Sequence, residues 1–408
     1  MRERSATLPV LYTGIGLQGA SVGISGLGLP FLIERFEVDK GVGGLIPGLG
    51  ALGFGLGALI GGKLADFLGR AATVRTGLIM MGVGNLGLAA SPWLWLGISC
   101  SFFSGLGSGF MEASANAAVV DIAKDRAPHA LNILHFCFGL GAVVAPMLFP
   151  ILLTLTGKWW GALVGVSVSF LFTAIWTAFV TLPGKPPPRP EVADHPHRHT
   201  VRRLLIVTGL MMLVYIGLEF GFSQWLFAYL TEQRGAGASM ASWAVSGFFL
   251  FLAGGRLITA RLSRSMSVER LLLLLAAFSL GCAAVIPFVP AVPVVIFSCL
   301  LGLGFSGVFP LGIALGGRAV PGSAWAMGAI VAFGAIGAVA SPPLMGAVAD
   351  SSSLSAAMLV ITAGCVLLVG FVLALPKGLP GAAIEPIEPP DDNSAETPAA
   401  APQEPEPA

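Results

Sequence analysis

Ser104-Gly105-Leu106-Gly107-Ser108-Gly109-Phe110-Met111-Glu112-Ala113-Ser114-Ala115-Asn116 is a run of small and apolar residues interrupted by one carboxylate. A charged side chain at the centre of a bilayer costs from ~3 kcal/mol on insertion scales to well over ~10 kcal/mol in simulation, so an acid kept there faces a cavity or a partner. Ser108, Glu112 and Asn116 recur every four residues, which stacks them on one helix face. Gly105 and Gly109, one turn apart, let a neighbouring helix close in. The stretch therefore predicts a tightly packed membrane helix with a polar stripe.

Working outward, hydrophobic residues make up 55% of the 408 and charged residues 11%. With a mean hydropathy of +0.86, the chain reads as an all-α polytopic membrane protein. Apolar runs bounded by charges, Pro or Gly give twelve spans, at about 8–33, 43–65, 72–91, 94–119, 130–154, 159–182, 204–231, 241–261, 271–289, 294–316, 324–348 and 354–375. With both termini on one side, that side carries 18 Lys and Arg and the other four, Arg35, Lys40, Lys158 and Arg234. The positive-inside rule then puts both termini in the cytoplasm of a bacterial-type inner membrane. Four of the 18 are counted with the loop after span eight, Arg256 among them although it falls within that span.

Residues 183–203 are rich in Pro, Arg and His and read as a cytoplasmic linker between two halves, 1–182 and 204–375; the Pro/Glu/Ala tail 376–408 reads as disordered. His195, His197 and His199 lie in that linker without the Cys-His or carboxylate-His spacing of a metal site, and the five cysteines sit in apolar runs. No metal, cofactor or nucleic-acid partner is expected. The halves repeat one another. Gly105-Leu106-Gly107 recurs as Gly302-Leu303-Gly304, Gly141-Ala142-Val143 as Gly337-Ala338-Val339, and Gly62-Lys63-Leu64 as Gly255-Arg256-Leu257, at offsets of 197, 196 and 193. A common offset points to two parallel six-helix repeats with a substrate between them, the arrangement of a transporter.

After span two the chain reads Gly62-Lys63-Leu64-Ala65-Asp66-Phe67-Leu68-Gly69-Arg70, which resembles the cytoplasmic signature of the major facilitator superfamily. The resemblance implies the major facilitator fold and a cluster of Gly62, Asp66, Gly69 and Arg70 that latches the cytoplasmic side; the second copy at Gly255 lacks the acid. Four further segments are similar to the fucose–proton symporter family and its sugar-transporting relatives. They are Gly109 to Asn116, Asn132-Ile133-Leu134-His135, Tyr215-Ile216-Gly217-Leu218-Glu219 running on to Trp225, and Phe305-Ser306-Gly307-Val308-Phe309-Pro310. The likeness implies that Glu112 is the proton-linked acid. Span one offers Gln18, Ser21 and Ser25 but no Asp where the symporter has a second acid.

A carboxyl withdrawn from water holds its proton more tightly, which suits coupling to a proton gradient. Glu112 and Glu219 are the acids placed deep in the membrane. The alternative for each is a protonated side chain bonded between helices. Tyr215, Glu219 and Ser223 share a face, and Glu219, Asn116, Asn132, His135, Gln18, Tyr215 and Trp225 are the expected solute-binding set. Trp225, Tyr229, Trp243 and Trp325 are aromatic candidates for stacking on a sugar, with the interfacial belt as the alternative. Counted from the span ends, Glu219 lies about 22 Å and Glu112 about 10 Å from the cytoplasmic surface, on opposite sides of the midplane.

These readings converge on a monomeric secondary transporter moving a small polar solute, a monosaccharide or related polyol, by symport with protons, sodium remaining open. The alternative is a proton-coupled exporter of amphiphilic molecules or drugs. Gly141 to Pro146 partly fits the antiporter pattern, but Met147-Leu148 follows where that pattern has glycines. An intramembrane enzyme would need a catalytic pair such as two facing Asp, and none is evident.

Overall fold

The computed structural model describes residues 7–123, 127–182, 198–319 and 324–375. In hydrocarbon every backbone N–H and C=O must be satisfied within the segment, so long apolar runs fold as helices. They are α1 (Thr7–Phe36), α2 (Leu45–Leu68), α3 (Arg70–Ala90), α4 (Leu94–Ala123), α5 (Ala127–Thr156), α6 (Trp160–Trp176), α7 (Arg198–Ala228), α8 (Ala238–Leu262), α9 (Val268–Val285), α10 (Ala291–Phe305, resuming as Val308–Ala319), α11 (Ala324–Ser351) and α12 (Leu354–Leu373). Eleven of these segments are long and apolar enough to cross a membrane by length and composition. The exception, α3, carries Arg70, Arg75 and Asn85, which lower its hydropathy although half its residues are buried. The break in α10 falls at Ser306-Gly307, one turn before Pro310, whose ring cannot pack against an unbroken preceding turn.

The repeat seen in the sequence is a repeat of packing. A methyl group added at Gly105 on α4 would overlap the carbonyl oxygen of Gly50 on α2. Added at Gly302 on α10, it would overlap that of Phe248 on α8. Gly141 on α5 is equally tight on the carbonyl of Gly16 in α1, and Gly337 on α11 on that of Leu213 in α7. The partners Gly16 and Leu213 are themselves 197 apart, so each six-helix half closes the same helix pairs at the same glycines. The third landmark is looser, since Gly62 meets nothing while Gly255 meets Ser306.

Within α4, Gly105 and Gly109 face α2, and Gly107 faces α3 at Gly77 and Met80. Those contacts leave the third face, with Glu112 and Asn116, turned toward α1. Leu11, Ile15, Leu78, Met111, Leu134 and Phe170 form the core of the first half. Phe222, Phe248 and Phe305 pack together in the second, tilted and edge-on, with ring centroids 5.3 and 6.4 Å apart. The helices up to Leu375 make one compact unit.

The two halves meet closely at the end opposite Thr7, called here the outer end. Gly26 of α1 lies on the backbone of Ser223 in α7, and Gly44 lies on that of Pro342 in α11. Gln224 Nε2 donates to Ser25 Oγ at 2.9 Å. Asp350, at the end of α11, accepts the backbone N–H groups of Lys40 and Gly41 at 2.9 and 2.7 Å. Lys40 also pairs with Glu232 at 3.0 Å. Nearby, a cavity of about 400 Å³ lined by Pro30, Phe31, Glu34 and Glu232 opens between α1 and α7, away from both deep acids.

Candidate functional site

Two polar centres lie inside the helices. In the first, Glu112 is clamped by amides from two directions. Asn116, one turn along α4, donates from Nδ2 to Oε1 at 2.9 Å and to the Glu112 carbonyl at 2.9 Å. Gln18 of α1 donates from Nε2 to Oε2 at 3.2 Å. Gln18 is only 3% exposed, whereas Glu112 keeps part of its surface open. The other end of the Gln18 amide, Oε1, is buried without a partner. A short polar chain beside it, absent from the expected site, ties three helices. Ser104 donates to Asn85 Oδ1 at 2.9 Å, and Asn85 Nδ2 donates to Ser21 at 3.0 Å.

In the second centre, the Tyr215 hydroxyl donates to Glu219 Oε2 one turn along α7. Tyr215 is wholly buried, its ring edge-on to Phe305 with centroids 5.7 Å apart, so it fixes the carboxylate from below. Glu219 itself is half-buried. Across from the pair, on α8, stands Arg256, whose charge reaches both Glu219 and Tyr215 without a hydrogen bond or ion pair joining them. The sequence places this arginine inside span eight, 241–261, although it is counted with the cytoplasmic charges. It lies within α8, six residues before the helix ends.

The contact between Ser25 and Gln224 sets the register of α1 against α7. Gln18 lies seven residues before Ser25, and Glu219 five before Gln224. At 1.5 Å per residue the two acids are therefore within about one helical turn of each other in depth. Counting from span ends had separated them across the midplane. The count took helix ends as the membrane surface, but α7 begins at Arg198 and α4 runs on to Ala123, both beyond the expected boundaries at 204 and 119, so helix ends do not mark depth here.

The remaining candidates are distributed elsewhere. Trp225 is fully buried, and its indole N–H donates to the Pro342 carbonyl at 3.0 Å, which makes it a packing contact between α7 and α11. Tyr229 is buried too, donating to the Ile286 carbonyl at 2.9 Å under the guanidinium of Arg234. Trp243 is 54% exposed near the start of α8. His135 is exposed on α5 without a hydrogen bond to another described residue. The side chains of Asn132, Trp325 and Asp66 lie outside the described residues, as do the linker histidines His195, His197 and His199 and the tail from 376. Gly69 joins α2 to α3 at φ 94°, a left-handed conformation that favours glycine. Arg70 is buried at 2% exposure and donates to Asp121, at the end of α4, at 3.0 Å. Asp121 is a partner that the loop signature does not contain.

Comparison with known proteins follows the same lines. The sequence profile described as Major Facilitator Superfamily matches residues 11–324. The chain is 28% identical over 174 residues to the uncharacterized MFS-type transporter YfiU of Bacillus subtilis (strain 168), covering 42% of this chain and 33% of that protein. It is 25% identical over 269 residues to the enterobactin exporter EntS of Escherichia coli, covering 62% of this chain and 63% of that protein. The chain thus spans between a third and just under two-thirds of the length of these relatives. Among solved structures, a bacterial homologue of the human lysosomal transporter Spinster superposes with a TM-score of 0.77 at 14% identity, covering 92% of this chain and 97% of that one. The Escherichia coli fucose:proton symporter FucP superposes with a TM-score of 0.61 at 17% identity, covering 92% of this chain and all of that one. At these identities the likeness is one of fold.

Proposed function

This chain belongs to the major facilitator superfamily of transporters, and on that premise we propose that it carries a small polar solute, a monosaccharide or related polyol, by alternating access, coupled to protons through Glu112. It is a transporter and not an enzyme. The observation that supports the coupling is the clamp around Glu112. The ionised carboxylate accepts from two amide N–H groups, and the buried, unpartnered Oε1 of Gln18 supplies an acceptor for the protonated form once the amide turns over. One acid with donors for its charged state and an acceptor for its neutral state can hold a proton in one conformation and release it in another.

Glu219, held by Tyr215, is the proposed solute contact in the second half, nearly level with Glu112 across the interior. The termini are proposed to face the cytoplasm, following the excess of Lys and Arg on their side. The outer end, closed by Ser25, Gln224, Lys40 and Asp350, is then the extracellular gate. Asp66 and Arg70, with Asp121, are proposed to close the opposite end in the other state.

A second reading, export of amphiphilic molecules in exchange for protons, is supported by the partial relatives of EntS type. Transport assays in liposomes decide between them. Purified protein is offered a panel of sugars, polyols and amphiphiles with and without an imposed pH gradient. Accumulation of a polar solute along an inward proton gradient is the expected outcome. Movement of amphiphiles against that gradient, with no polar solute carried, overturns it in favour of the exporter.

A further inference from the structure

Neither the proton clamp nor the outer gate uses Arg256. A guanidinium carries five N–H donors and no acceptor, and an unpartnered charge inside a membrane protein is costly unless something completes it. At Arg256 the Nε atom is shut off from water without a partner, and no hydrogen bond joins the group to any described residue. The opposite charge nearby does not satisfy it. Tyr215 already occupies one oxygen of Glu219, and the guanidinium acts on that carboxylate only across a gap. The helices hold this gap in place. Gly255 seats α8 against Ser306 at the break of α10, and Phe305 packs on Tyr215, so the arginine and the acid are fixed to the same cluster.

A gap with a fork of donors on one side and a half-open carboxylate acceptor on the other has a two-part complement: an anionic head and hydroxyl groups. A guanidinium matches a carboxylate in a planar, bidentate arrangement that no hydroxyl reproduces. A neutral sugar would leave the Arg256 charge uncompensated on closure. We infer that the solute is a hydroxylated organic anion, a sugar acid or hydroxycarboxylate, whose carboxylate docks on Arg256 while its hydroxyls donate to Glu219. This rests on the proposed transport of a polar solute and narrows its class.

The test is thermal stabilisation of the purified full-length protein by matched pairs: glucuronate with glucose, galacturonate with galactose, glycerate with glycerol. At least one acid should stabilise the wild type at a concentration about tenfold or more below its neutral partner, as loss of a charged hydrogen bond implies. Arg256→Gln should raise the concentration needed for that acid by at least about tenfold, and Arg256→Lys by less, because the charge stays and the fork is lost. If Arg256→Gln does not fold, Arg256→Lys decides alone: its affinity for the acid must fall while that for the neutral partner holds. Equal stabilisation by acid and neutral partner, or undiminished binding of the acid by the variants, overturns the anion site and leaves polar-solute transport standing. Stabilisation by no member of either series overturns both.

Discussion

Gln18 and Tyr215 stand 197 residues apart, the offset of the repeat, and each donates to the acid of its own half. The equivalent place on the first helix of each bundle therefore holds a hydrogen-bond donor over a carboxylate, but the chemistry differs. In the first half the donor is an amide with an unused acceptor, a second amide from Asn116 completes the clamp, and no hydrogen bond or ion pair to a cation is described at Glu112. In the second half the donor is a phenol and a guanidinium stands opposite. An amide presents two donors and an acceptor that can exchange places by turning over, whereas a phenol beside a guanidinium presents hydrogen-bonding groups that can hold a ligand between them and the carboxylate. The repeated arrangement thus carries two different chemistries, the first proposed for proton exchange and the second for holding a ligand.

Four experiments stress that division, in order of expected effect. Glu112→Gln, a mimic of the permanently protonated acid, should reduce accumulation driven by a pH gradient to the level of empty liposomes while leaving solute counterflow measurable. Glu219→Gln should weaken solute affinity by about tenfold or more, the weight of a hydrogen bond to a charged group, with accumulation still gradient-driven; binding like wild type would reduce Glu219 to a packing contact. Asp350→Ala frees two backbone N–H groups of the opposite half. It should raise maleimide labelling of a Gln224→Cys reporter from the extracellular side by about fivefold, since roughly 1 kcal/mol of closure is lost. Unchanged labelling would remove Asp350 from the gate. Tyr215→Phe should cost only about threefold in solute affinity, through a less well-held Glu219. A larger loss than that of Glu219→Gln would make the hydroxyl itself a ligand.

The twelve helices and their repeat were legible because both depend on features that run along the chain: apolar length, and glycines recurring at one offset. The Gly105/Gly302 and Gly141/Gly337 pairs were visible as an offset before they were visible as contacts. Glu112 with Asn116 was legible for the same reason, being a contact within one helix. Arg256 was not. Span eight contains it, but the acid it faces lies on another helix, so nothing local marks it as a site residue and charge counting grouped it with the cytoplasmic side. Asp121, paired with Arg70 across 51 residues, escaped in the same way. Trp225 illustrates the same limit: a large aromatic near a polar face reads as a candidate ligand platform, and only the neighbouring helix reveals that Pro342 occupies its polar edge.

The division of labour is tested most directly by solute affinity measured against pH for wild type, Glu112→Gln and Glu219→Gln side by side. The account predicts a pH-dependent affinity in wild type, a flat profile for Glu112→Gln, and for Glu219→Gln a profile of wild-type shape displaced to weaker binding. A Glu112→Gln profile that keeps the wild-type pH dependence would contradict it.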